Sequence, residues 1–79
     1  MDLKVLSPTK IRSTVSIAWL EIDTVVGNFV ILYGHAPTVL VLKENSRINF
    51  CLKSGKQDFI NIPTGIVHIE RKTITILMN

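Results

Sequence analysis

Apolar and polar residues alternate along most of this chain with the period of two expected of half-buried strands. Ala18, Leu20 and Ile22 fall on one face of a segment running from Ile11 to Thr24, and Trp19, Glu21 and Asp23 fall on the other. From Arg47 to Lys53 the pattern repeats, with Ile48, Phe50 and Leu52 facing in and Asn49, Cys51 and Lys53 facing out. Further strands are predicted at Leu3–Leu6, Phe29–Leu32, Thr38–Leu42, Gln57–Ile62, Ile66–Glu70 and Thr73–Met78. Turn chemistry separates them: Ser7-Pro8-Thr9, Val25-Val26-Gly27-Asn28, Tyr33-Gly34-His35-Ala36-Pro37, Lys43-Glu44-Asn45, Ser54-Gly55-Lys56, Pro63-Thr64-Gly65 and the charged tip Arg71-Lys72. Nowhere do apolar residues recur at i, i+3, i+4 and i+7, so no helix longer than a turn is predicted. Short, closely spaced strands imply an all-β fold, a single β-sandwich of two mostly antiparallel sheets.

One stretch imitates something else. Thr24 to Leu42 contains no formally charged residue over 19 positions, close to the roughly 20 that span a bilayer as a helix. Gly27-Asn28 and Gly34-His35-Ala36-Pro37 interrupt it, however, and lipid would leave the freed backbone groups unpaired. Its Val and Ile content also favours strands. The stretch is two strands and a turn.

Seventy-nine residues with 47% hydrophobic content suit one domain, residues 1–79, with a real core. No signal-peptide pattern opens the chain, because Ser7-Pro8 ends the apolar run after Leu6. Cys51 is the only cysteine, which excludes an intramolecular disulfide. A net charge of +3 and a pI near 9.4 raise a second class of function, a small basic β-barrel binding RNA or single-stranded DNA. The nine basic residues are scattered among six acids, with Arg71-Lys72 the only adjacent pair. The five aromatics do not interleave with them, whereas single-stranded nucleic acid needs a basic groove with stacking platforms.

Catalytic signatures are absent. Ser54-Gly55-Lys56 lacks the upstream glycine and following helix of a phosphate loop, and is a hairpin turn. His35 and His68 have no second ligand type at metal spacing. Ser54, Asp58 and His68 come without a nucleophile elbow or oxyanion donors. No cofactor or metal is expected, and no enzymatic activity. His35 differs in standing on a turn where Gly34 gives backbone freedom and Pro37 fixes φ. Contact with a partner and hydrogen bonding within the turn are equally compatible with that placement.

Gly27 to Leu42, GNFVILYGHAPTVLVL, resembles the G-(E)-F-G-I-L-P-G-H-A-P-L-L segment of the epsilon subunit of the F-type ATP synthase, called delta in mitochondria. The likeness extends from Leu3-Lys4-Val5-Leu6-Ser7-Pro8, through Asp58-Phe59-Ile60 and Pro63-Thr64-Gly65, to the closing Ile74-Thr75-Ile76-Leu77. It implies a non-catalytic rotor subunit of the central stalk, peripheral to an energy-transducing membrane, joining the gamma subunit to the membrane c-ring. Carried over, the c-ring contacts are Gly27, Asn28 and His35, and the gamma contacts are Ser7 and Leu40. Asn28 stands where the family often has Glu, Val30 where it has Gly, and Tyr33 where it has Pro. Family members usually continue into an inhibitory helical hairpin. This sequence stops at Met78-Asn79 without one, either as a natural short form, which its opening Met1 favours, or as a truncation.

Overall fold

A computed structural model describes residues 1–8 and 13–78. The expected turn and strand residues Thr9 and Ile11, and the final Asn79, lie outside the described residues. Eight strands follow in order: β1 (Asp2–Leu6), β2 (Ser13–Thr24), β3 (Gly27–Leu32), β4 (Thr38–Val41), β5 (Ser46–Leu52), β6 (Gln57–Ile62), β7 (Gly65–Ile69) and β8 (Thr73–Met78). No helix occurs among the described residues. All eight coincide with the strands predicted from alternation, to within a residue or two at their ends.

The strands pair in the order β4-β7-β8-β1-β2-β5-β6, with β3 also on β2. Every pairing is antiparallel except β1 with β8. The sheet curls into two layers, β4-β7-β8-β1 and β3-β2-β5-β6, and the 12-residue β2 belongs to both. Its first residues pair with β1 and its last with β3. The change of layer falls at a register irregularity between Ile17 and Trp19 opposite β5. An extra residue there bends and twists the strand.

That bulge corrects one expectation. Ala18 does not share the inner face with Leu20 and Ile22: it is exposed, and Ile17 is buried instead. Cys51 is the second correction. Alternation sends it outward, yet it is buried, because Trp19 stands directly opposite on β2 and screens it from water.

Between the layers lie Leu3, Ile17, Leu20, Ile22, Ile31, Ile48, Ile62, Val67, Ile69, Ile74 and Ile76. β-Branched side chains dominate because they pack well on a pleated surface. Each one removed from water contributes about 1.5–3 kcal/mol, which suits a domain too small to hide more than about 60% of its unfolded surface. No buried side-chain polar atom lacks a partner among the described residues.

Candidate functional site

Two turns flank β3. At its start, the hydroxyl of fully buried Thr24 donates to the Gly27 carbonyl at 2.9 Å and accepts from the Val26 N–H at 3.2 Å. One residue back, the Asn28 amide donates to Asp23 Oδ1 at 2.8 Å, the two facing each other across the ladder. At the far end, Gly34 adopts φ 85°, a left-handed conformation that costs glycine nothing. Its N–H donates to the Arg71 carbonyl at 3.0 Å, so the β7–β8 tip holds this turn in place.

His35 is half-buried there, and its N–H donates to the Leu32 carbonyl at 3.2 Å. Its Nδ1 lies 2.7 Å from the Ala36 carbonyl. A carbonyl can only accept, so Nδ1 carries the proton and Nε2 is left for a partner. The imidazole therefore braces its own turn and keeps one ring nitrogen for contact.

Gly27 and Asn28 lie at one end of β3 and His35 just beyond the other. Six residues at about 3.3 Å each separate the two turns by roughly 17–20 Å. Among the described residues β3 pairs only with β2, which leaves its other edge without a strand partner there. The three expected ring-contact residues thus occupy two ends of one edge rather than a single cluster.

Ser7 directly follows β1 and is half-buried. Leu40 is also half-buried, packing on the core from β4 opposite Val67. Its neighbours face outward: Val39 is 64% exposed and Val41 54%. Val41 continues across the sheet into Ile66 on β7 and Leu77 on β8, which are 40% and 41% exposed. This gives the first layer a continuous apolar row on its outer surface. Beside it, Val25, Val41, Leu42, Glu44, Thr64, Gly65 and Ile66 line an open groove of about 440 Å³.

The second layer's outer face carries an apolar group that sequence reasoning missed. Val30 and Leu32 on β3 stand opposite Glu21 and Trp19 on β2. Phe59 on β6 is partly exposed, with the Arg47 guanidinium 4.1 Å above its ring. Glu21 accepts from the Asn49 amide at 3.2 Å. The available signal was that both alternating sets of β3 are apolar: Phe29 and Ile31 face inward, Val30 and Leu32 outward.

His68 is exposed between Val39 and Thr75, as its strand position predicts. No group of three metal-ligating side chains converges among the described residues. The described residues contain no helix long and apolar enough to cross a membrane, which leaves strand-built spans unaddressed.

Among the described residues, exposed apolar faces and hydrogen-bonded turns belong to a small β-sandwich. The sequence matches the family described as ATP synthase, Delta/Epsilon chain, beta-sandwich domain over residues 1–79, and the chain belongs to that family. Among solved structures, one chain of the Euglena gracilis mitochondrial ATP synthase (OSCP/F1/c-ring, rotational state 1, by cryo-EM) superposes with a TM-score of 0.82 at 22% identity. The match covers 96% of this chain and 48% of that one, so this chain spans about half its length. No curated protein matches the sequence.

Proposed function

We propose that this chain is a central-stalk rotor subunit of an F-type ATP synthase, clamping the foot of gamma to the membrane c-ring. Ring rotation then turns gamma instead of slipping past it, which couples ion translocation to ATP synthesis. The subunit supplies binding surface and breaks no bonds. It sits peripherally on the face of the membrane that carries the catalytic head.

The observation that carries the reading is the exposed row Val41–Ile66–Leu77, with Val39 beside it, in a domain of this family. Contiguous apolar surface on a small soluble domain marks an interaction site. Gamma docks on this row, with Ser7 at its margin and Leu40 bracing β4 from beneath. The ring meets the free edge of β3, through Gly27 and Asn28 at one end and His35 at the other. Co-expression with the cognate gamma and ring, followed by gel filtration, is the test. Co-elution of all three is expected; elution of this chain alone would refute the assignment.

A further inference from the structure

Asn28 brings no charge to the position it occupies, but its side chain is not idle. Its amide is bonded at 2.8 Å to the carboxylate of Asp23, its direct partner across the β2–β3 ladder. Asp23 is fixed from its other side as well, since its carbonyl accepts the Lys43 N–H at 3.2 Å. The buried Thr24 hydroxyl ties down the adjoining turn. One oxygen of an exposed carboxylate is thereby clamped, and the other is left toward solvent.

No cation among the described residues neutralises it. Lys43 meets Asp23 through its backbone, and the Arg47 guanidinium is stacked over Phe59. A formal −1 charge therefore stands in fixed orientation at the hairpin corner of a chain whose net charge is +3. Chain entropy usually erodes an exposed ion pair, because two long side chains must be immobilised. Here a short side chain is already immobilised by its neighbour's amide.

We infer that Asp23 supplies the charge at the ring-facing corner of the domain, with Asn28 as its positioning residue. The partner places a guanidinium or ammonium group against the free oxygen. This rests on the coupling role proposed above, and it moves the charged contact from β3 to β2.

The test measures attachment of the chain to detergent-solubilised cognate c-ring across a range of salt concentrations, with gamma affinity and thermal midpoint as controls. Asp23→Asn should weaken ring attachment by about fivefold or less, the range of an exposed ion pair. It should also flatten the salt dependence, because screening acts only on charge. Asn28→Ala keeps the charge but frees the carboxylate, so affinity should fall about twofold with the salt slope retained. Adding Asn28→Asp to Asp23→Asn should return the slope. A merely structural hydrogen bond would make the two single variants behave alike, which would overturn the assignment. So would Asp23→Asn attaching with wild-type affinity and slope, leaving the coupling role standing. Failure of the unaltered chain to attach to the ring overturns both.

Discussion

Replacing Val39 and Val41 together by threonine should detach gamma while leaving the domain folded. Threonine keeps the β-branched shape that suits a strand, so β4 loses little propensity. Both side chains project from the outer face, 64% and 54% exposed, so no core contact is removed. On docking, each substitution forfeits one methyl's burial, about 0.8 kcal/mol scaled by exposure to roughly 0.5 and 0.4 kcal/mol. Each also carries a hydroxyl into an apolar interface, where lack of a partner costs about 1 kcal/mol or more. The sum is about 3 kcal/mol, on the order of a hundredfold in Kd. Titration calorimetry of purified gamma against both forms reads the affinity, and a thermal scan of each reads the fold. An unchanged Kd with an unchanged midpoint would show that gamma does not use this face.

Three further outcomes follow from particular contacts. His35→Ala removes an imidazole that braces its turn and whose Nε2 is the proposed c-ring contact; ring attachment should weaken tenfold or less, one hydrogen bond being worth roughly 0.5–1.5 kcal/mol. A lower midpoint with unchanged ring affinity, corrected for the unfolded fraction, would assign His35 to bracing alone. Gly65→Ala sets a methyl 2.7 Å from the Leu77 carbonyl oxygen, where β7 and β8 must part; a cost of about 1–3 kcal/mol should lower the melting midpoint by at least about 4 °C, and an unchanged midpoint would contradict that crowding. Thr24→Val keeps the shape but deletes both turn bonds of the buried hydroxyl; amide exchange at Val26 should accelerate, and a protection factor equal to wild type would rule out a pinning role.

Most strands were legible because they are short and bounded by turn residues. Gly34, with its positive φ, and Pro37 bracket the turn that alternation alone would have run through. What alternation could not show was a change of phase within a strand. Between Ile17 and Trp19 no glycine or proline marks the bulge, so Ala18 was assigned the face that Ile17 occupies. Cys51 failed for another reason: its direction was correct, but burial depends on the neighbour across the ladder, and Trp19 is 32 positions away in sequence. The candidate site residues could be named from the sequence, but not their arrangement. That Gly27-Asn28 and His35 stand at opposite ends of an edge strand, and that Leu40 faces the core while Val39 and Val41 face out, are properties of pairing.

Pairing also bears on how such a domain would transmit torque in the proposed role. The proposed gamma face belongs to β4, β7 and β8, and the proposed ring edge belongs to β3. They are not separate modules on a flexible tether. β2 runs through both layers, holding β1 at its start and β3 at its end. The last residues of β2 and the next turn are fastened to β4: Thr24 bridges Leu42, and the Val25 N–H donates to the Val41 carbonyl at 3.2 Å. At the other end of β3, Gly34 is tied to Arg71 at the β7–β8 tip. Each end of the ring edge is thus hydrogen-bonded to the layer that bears the gamma face. Rotating one surface against the other would require breaking both attachments and shearing a close-packed core, and packed cores resist continuous deformation. In the proposed coupling role, that double fastening would matter more than the strength of any single contact.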